Sequence, residues 1–511
     1  MSRKLEHEGS VISMKQHTPV IVGVGEITQR TKIAVDALEP LVLMEKALQA
    51  AEQDARSPLL EHLDSLDVIQ EYSWPYLDAP VQLSQRLGMS PSRRHYGPVG
   101  GETPVYFLHE AALRIQRGES RVAAVVGAEA QYAVTAAQKL GQSLPWSPRD
   151  QNAKLVRGAD YLHPTAVRLG VASPATVYPF YENAMQHRWG QTPAEGLGES
   201  GRTWAGYSAV AARNEFAWHR DAFDADAIST PSSTNRLIAW PYTMRMVANP
   251  QVNQGAAVIL TSLEHARALG IPETQMVFVH CGAAADEPAD YLHRDHYTHV
   301  PAQEAVLERV TELTGSGKGF DAMELYSCFP VVPKMARRTL SLPEHACFTS
   351  TGGLSFFGAP LNNYMSHAAA SMVRVLRQRP SSRGLLYGQG GYLTKHHALV
   401  LGSSPSPYRL DERYAVQEMA DGRRDVSPQL AMDYEGVARL ETHTVLFQRD
   451  GSALHGVVIG RTPEGARLLA KVPSEDRQGI STLTNLDHSP IGRTGSVSLA
   501  ADGVQLWSFV L

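Results

Sequence analysis

Apolar residues along the chain follow two periods, and the switches between them mark the expected elements. Val20-Ile21-Val22-Gly23-Val24-Gly25 is a continuous β-branched run closed by glycines, which predicts a buried strand. Leu and Ala then recur at helical spacing over residues 35–55, and residues 66–72 predict a second strand. The clearest helix is expected over 104–117, where Val105, Leu108, Ala112 and Ile115 share one face. Thr103 is its expected N-cap, and Pro104 follows in the first turn, where its missing N–H costs nothing. Residues 121–127, unbroken in Val and Ala, predict a strand covered on both faces.

The same order returns in the C-terminal half. Gly352-Gly353, a helix over about 362–377, a strand at 385–387 and Gly388-Gln389-Gly390-Gly391 parallel Gly100-Gly101, helix, strand and Gly127-Ala128-Glu129-Ala130. Two similar βαβ units predict a duplicated α/β fold. Residues 135–245 interrupt the first unit and are rich in Pro, Trp and Tyr. Residues 403–436 turn Ser-, Pro- and charge-rich, the composition of a linker, so the preceding body is expected to stay folded when cut there. Short strands are expected at 442–447, 456–460, 466–472, 496–500 and 504–511, with hairpin turns at Asp450-Gly451 and Asp502-Gly503. That pattern over 437–511 fits an OB-like barrel or a small sandwich.

Composition sets limits. At 511 residues the chain exceeds one core and predicts about three domains. Hydrophobic content of 43% with 19% charged residues describes an ordinary folded protein. A net charge of −5 leaves no broad basic surface, which argues against a nucleic-acid partner. Cys281, Cys328 and Cys347 are widely spaced and odd in number, which fits a reducing compartment without a disulfide framework. No apolar run reaches the roughly 18 residues of a membrane span. Residues 1–17 are charged, lack a signal-peptide core and are expected to be disordered, with Met14 as an alternative start. The cytoplasm is the expected location.

The stretch from Ser350 to Asn363 contains Gly358-Ala359-Pro360, and it resembles the thiolase motif that carries a histidine where Ala359 stands. Asn253-Gln254-Gly255-Ala256-Ala257, followed by Glu264-His265-Ala266-Arg267, resembles the segment that closes the N-terminal thiolase half. Glu324-Leu325-Tyr326-Ser327-Cys328-Phe329 is similar to the His-Asp-Cys-Phe motif of sterol-carrier-protein-type thiolases, with Tyr326 in the histidine's place. Gly100-Gly101-Glu102-Thr103-Pro104 occupies the corner of the nucleophilic cysteine, and Gly388-Gln389-Gly390-Gly391 stands for Cys-x-Gly-Gly. Matching blocks run from about residue 18 to 402. These departures, with the extra C-terminal region, most resemble thiolase-like proteins of type 1.

The resemblance implies a duplicated thiolase fold of α/β class, with βαβαβ-type halves at 18–270 and 271–402 stacked in five αβαβα layers. It also implies a loop domain at 135–245 that covers the site and contacts pantetheine, and an OB-like domain at the C-terminus. The implied role is acyl-CoA handling of the acyltransferase class in lipid metabolism. A coenzyme A thioester would be substrate or ligand, with no covalently bound cofactor. A monomer or homodimer is expected, with a partner enzyme as a further candidate.

A thiolase needs a thiolate, a histidine to activate it, a second cysteine and donors for two oxyanions. Gly101, Ala359 and Gly388 supply none of the first three, so ordinary thiolysis and an acyl-enzyme are not expected. Glu102 reads either as helix-end stabilisation or as a chemical group. Tyr326 reads as a neutral donor to a carbonyl or as a satisfied core tyrosine, and Cys328 as a small hydrophobe or a thiol. Asn363 is expected to face the pocket, ahead of His367. Gly352, Gly353, Gly390 and Gly391 are the expected substrate-binding backbone. Lys395, His396 and His397 read as a compensating cluster or a solvated strand exit. The thiolase-like aldolases that cleave steroid side-chain acyl-CoA esters use tyrosines and pair with an OB-fold partner. Retro-aldol-type carbon–carbon chemistry is therefore the first functional expectation; a non-catalytic acyl-CoA binder that recruits a partner is the second. Gly315-Ser316-Gly317-Lys318-Gly319 fails as a phosphate loop because Glu312 and Gly319 break the pattern. His293, His296 and His299 have no flanking Cys and predict no metal site.

Overall fold

The structure is a computed structural model that describes residues 17–315 and 319–510. The expected disordered N-terminus lies outside the described residues except for His17, as do residues 316–318 of the glycine-rich stretch. In chain order the N-terminal half forms β1 (Pro19–Thr28), α1 (Pro40–Ala55), β2 (Ser65–Val68), β3 (Arg93–Tyr96), α2 (Thr103–Gln116) and β4 (Val122–Glu129). The insertion carries α3 (Pro174–Arg188), α4 (Pro193–Arg213) and the hairpin β5 (Leu237–Ala239) and β6 (Tyr242–Thr243), before β7 (Gln254–Ser262) closes the half. The second half runs β8 (Val277–Asp286), α5 (Pro301–Leu313), β9 (Ala322–Leu325), α6 (Tyr364–Arg377), β10 (Arg383–Gly390) and β11 (Lys395–Gly402).

All of these strands except β5 and β6 make one sheet in the order β3-β2-β4-β7-β1-β8-β11-β10-β9, while β5 and β6 extend the C-terminal sheet. The halves join only briefly, through Val20 opposite Phe278 and Ile21 opposite Val277. Helix α1 covers one half's outer face and α5 the other's, while α2 and α6 contact each other and strands of both halves. The result is the expected five-layer order. It also explains why α2 is buried almost all round instead of on one stripe: its polar members are paired in the middle layer. Arg114 bonds Asp67, and the Gln116 amide donates to Leu410 O at 3.0 Å. The short edge strand β3, Arg-Arg-His-Tyr, escapes a hydrophobic reading because its cations face the sheet rim, where charge discourages further pairing.

The C-terminal strands β12 (Gly436–Phe447), β13 (Ala453–Arg461), β14 (Arg467–Pro473), β15 (Thr494–Leu499) and β16 (Gln505–Phe509) appear where the alternation places them. Pairing runs β12-β13-β14-β16-β15 and returns to β12, with β14 and β16 parallel. A helix, α7 (Arg477–Leu483), bridges β14 and β15. This is the closed five-stranded Greek-key barrel of the OB type.

Residues 403–436 differ from the linker expected of their composition. Leu410, Val416 and Ala420 are buried, Leu410 N donates to Gln116 Oε1 at 2.8 Å, and Arg424 pairs with the buried carboxylate of Glu287 at 2.8 Å. The barrel is equally embedded. Leu446, Val457, Ile459 and Leu469 join the main core, and fully buried Arg467 donates to Leu292 O at 2.7 Å. Truncation after Gly402 is therefore expected to expose this apolar face and strand buried charge, so that the fragment aggregates. Size-exclusion chromatography with circular dichroism tests this. A monomeric, cooperatively folding fragment would contradict it.

Candidate functional site

Three glycine-rich chain segments meet where β10 ends. The entry to α2, residues 100–103, faces the turn after β9, and Tyr326 N donates to Tyr387 O of β10 at 3.0 Å. A Cβ built at Gly101 would overlap the Tyr326 hydroxyl and the carbonyl oxygen of Gln389. The phenol oxygen thus fills the volume that a side chain at 101 needs. Among the described residues that hydroxyl has no hydrogen-bond partner, although the residue is only 6% exposed. Burial, followed by the neighbouring Cys328 and Glu102, raises its pKa well above the ordinary tyrosine value, so it stays a neutral donor.

Glu102 lies beside it. The residue precedes the first turn of α2, yet its side chain makes no capping hydrogen bond. Thr103, the expected cap, is the first helical residue and donates its hydroxyl to Pro98 O at 3.0 Å. The Glu102 carboxyl instead sits between Gly100 and Gly390, where a Cβ at either glycine would overlap its oxygens. Oε1 is 3.9 Å from Lys395 Nζ, and Oε2 is buried without a partner. Burial pushes this carboxyl up to about 7, with Lys395 pulling the other way. Lys395 donates to Val99 O at 2.9 Å and has a side chain 42% exposed, which marks the route from solvent to the carboxyl.

Cys328 completes the corner from below. Gln389 Nε2 donates to its sulfur at 3.1 Å and to Tyr178 Oη at 2.7 Å, and burial pushes the thiol up to about 12. The sulfur is a protonated, packed group rather than a ready thiolate. Gly388 faces Glu102 Cα at 3.0 Å and Val105 Cγ2 at 3.1 Å from its Cβ position, so it serves close packing. Ala359 is buried, with its N–H donating to Asn249 O at 2.8 Å.

Several expected site residues take other places. Asn363 is held at the end of β4: Nδ2 donates to Gly127 O at 2.6 Å, and its buried Oδ1 has no partner among the described residues. Its neighbour Asn362 reaches the corner's backbone, accepting from Gly100 N at 3.1 Å. Gly352 abuts Ala211 of α4, and Gly353 abuts Tyr207 of α4 and Ser327. Gly391, with φ at +63°, shapes the turn that returns to Lys395. His367 is buried against Glu26 at 2.7 Å, between β1 and α6. His396 and His397 are buried rather than solvated, bonded to Tyr387 Oη at 2.7 Å and His109 at 3.0 Å, and burial lowers both pKa values.

Two contributors escaped sequence reasoning. Glu324 is fully buried and accepts from Tyr364 Oη at 2.6 Å, Ser350 N at 2.8 Å and Thr349 Oγ1 at 3.0 Å, fixing the loop before Gly352. A lone acid in the short apolar run of β9 was its signal. Gln389 was the one polar side chain among four glycines and a buried strand. Among the described residues no group could hold a metal ion, and His296 and His299 pair with Asp425 and Asp295. Clefts of about 260 Å³ near Trp189 and about 750 Å³ near Arg383 lie outside the corner.

Residues 416–503 match the thiolase-like protein type 1 additional C-terminal domain. The monomeric SCP2-thiolase-like protein type 1 from Mycobacterium smegmatis is 26% identical, with a TM-score of 0.81 over 97% of this chain and 99% of that one. The Ltp2–ChsH2(DUF35) aldolase shares the fold at 18% identity and a TM-score of 0.59, over 78% of this chain and 100% of that one. Acetyl-CoA acetyltransferase from Syntrophomonas wolfei shares it at 12% identity and 0.55, over 76% and 100%. No curated protein matches in sequence. The barrel's match and the fold shared over nearly the full length make this chain similar to the type 1 thiolase-like proteins, with a thiolase fold and their additional C-terminal domain.

Proposed function

We propose that the protein breaks or forms a carbon–carbon bond on a coenzyme A thioester without an acyl-enzyme. The observation that carries this reading is the meeting of two buried groups at one corner: the Tyr326 hydroxyl, which a Cβ at Gly101 would overlap, and the neighbouring Glu102 carboxyl, whose Oε2 has no partner among the described residues. In the cleavage direction the substrate is a β-hydroxyacyl thioester. Ionised Glu102 takes the β-hydroxyl proton as the Cα–Cβ bond breaks. The bonding pair moves onto the thioester as an enolate, whose oxygen accepts the Tyr326 hydrogen bond. Glu102 then returns the proton to Cα, giving a ketone or aldehyde and a shortened acyl thioester. A carboxyl held near 7 suits both proton transfers at neutral pH.

The second reading is a non-catalytic acyl-CoA binder whose barrel recruits a partner. The embedded barrel weakens its recruiting half, since much of that surface already packs on the body.

Glu102→Gln separates the two. A carboxyl whose folded pKa is raised to about 7 from 4.5 supports the fold fully below pH 4.5 and loses that support as pH rises through 7. The amide keeps the shape without the charge. It is expected to raise unfolding stability at pH 8 by on the order of 2–3 kcal/mol, to change it little at pH 4.5, and to lower turnover by roughly 10²–10⁴-fold. Urea unfolding at both pH values, beside product assays with a panel of acyl-CoAs, checks it. A variant less stable at pH 8, or one with unchanged turnover, contradicts the assignment.

A further inference from the structure

The cleft of about 750 Å³ lies at the other end of β10 from the Tyr326–Glu102 corner, roughly 20 Å away along a strand of this length. It is formed by the exit of α5, the turn into β10, and the strap that follows β11. Its size is that of a small-molecule site. Two carboxylates line it, Glu312 and Asp411, and both are engaged by one cation outside the lining: Arg309 is 3.5 Å from the first and 3.8 Å from the second. The two lining guanidiniums, Arg383 and Arg409, make no ion pair among the described residues. Arg383 donates to Thr314 O and Arg409 to Gln116 O at 3.5 Å, which leaves most of their donors unspent.

The rest of the lining is suited to the same charge. Ser381 and Ser404 have side-chain hydroxyls without a protein partner among the described residues, and Ser381 is held at φ +59°, a conformation that a non-glycine residue rarely adopts. Tyr408 stands at the rim, 76% exposed, where an aromatic side chain otherwise gains nothing from the fold. Cys281 and His280 form the floor; burial holds the thiol up near 12 and lowers the imidazole pKa, so neither adds a competing negative charge nor a fixed positive one.

We infer that this cleft binds a small phosphate monoester, with Arg383 and Arg409 on the phosphate and Tyr408 against a planar group of the ligand. Two guanidiniums and two free serine hydroxyls lining one cleft offer the charge and the donors that a phosphate dianion takes up. The site is independent of the chemistry at Tyr326, and its occupant is neither consumed nor altered there.

The test uses the full-length protein and phenyl phosphate as probe, followed by calorimetry at low salt. The parent is expected to bind phenyl phosphate, to lose it on addition of inorganic phosphate, and to bind phenol at least tenfold more weakly. Arg409→Met, on an exposed residue, is expected to weaken binding about tenfold, and Tyr408→Ala to weaken phenyl phosphate but not inorganic phosphate. Arg383→Lys keeps the charge and the fold while losing the fork, and is expected to fall between the parent and Arg409→Met. Tyr326→Phe should bind the probe as the parent does. Equal affinity of parent and Arg409→Met, or binding abolished by Tyr326→Phe and not by Arg409→Met, overturns the proposal. So does the absence of any heat with the parent at millimolar probe.

Discussion

Replacing Tyr326 by phenylalanine is expected to lower turnover of a β-hydroxyacyl-CoA by roughly 10²–10³-fold, the usual loss for one donor aimed at developing negative charge. The substitution removes one oxygen that has no protein partner among the described residues, so nothing is orphaned by it. The ring keeps its edge-on contact with Tyr364, at 5.8 Å between centroids. Affinity for the acyl-CoA should stay within about twofold, because the interaction tightens in the transition state rather than in the bound substrate. Steady-state rates beside equilibrium binding, for variant and parent, resolve the two quantities. Unchanged turnover removes Tyr326 from the chemistry. Lost affinity at unchanged turnover gives it a binding role instead.

Restoring a cysteine at position 101 is expected to damage the protein without creating a thiolase. The phenol of Tyr326 already occupies the space of a side chain at 101, so Gly101→Cys overpacks the corner and costs roughly 1–3 kcal/mol. Ala359 and Gly388 still supply no group to activate the thiol or move the α-proton, so thiolysis of acetoacetyl-CoA should remain negligible. Tyr326→Ala removes the overlap with the phenol but not that with the Gln389 carbonyl, so combining it with Gly101→Cys should relieve part of that cost, a coupling of roughly 0.5–2 kcal/mol between the two positions in a urea-unfolding cycle. Additive effects would mean that the glycine and the tyrosine are unrelated departures from the thiolase pattern. Coupled effects mean that they are one change: the glycine makes room for the hydroxyl.

Glycine pairs and strand periodicity made much of this molecule legible from its residues. The barrel strands β12 to β16 were marked by their apolar runs, alternating at the start of β12 and in β15 and continuous in β13 and β14, with Asp450-Gly451 and Asp502-Gly503 at their turns, so all five strands appear near their expected places. Helix α2 was found but its environment was not. His109, Arg114 and Gln116 look like a solvent face until the second half of the chain is placed over them. The strap after β11 reads as a linker because its few buried apolar residues, Leu410, Val416 and Ala420, are widely spaced and its other contacts are ionic and backbone-mediated, as at Arg424, which leaves no apolar period to read. The same reason separates Asn362 from Asn363. Adjacent asparagines carry identical chemistry, and only the left-handed turn at Leu361 decides which one reaches Gly100. At the site, the residue types at 101, 359 and 388 were legible, but not that the Tyr326 hydroxyl lies where a side chain at 101 would stand.

The central claim is carbon–carbon chemistry on a thioester with no covalent intermediate. Its most direct test is a single experiment: the full-length protein is incubated with a panel of β-hydroxyacyl- and β-ketoacyl-CoA thioesters, and the protein and the small-molecule products are both read by mass spectrometry. The account predicts a shortened acyl-CoA and a carbonyl co-product from at least one thioester, with the intact mass of the protein unchanged throughout turnover and Cys328 unmodified. An acyl adduct on any side chain during turnover, or tight binding across the panel with no product from any member, would contradict it.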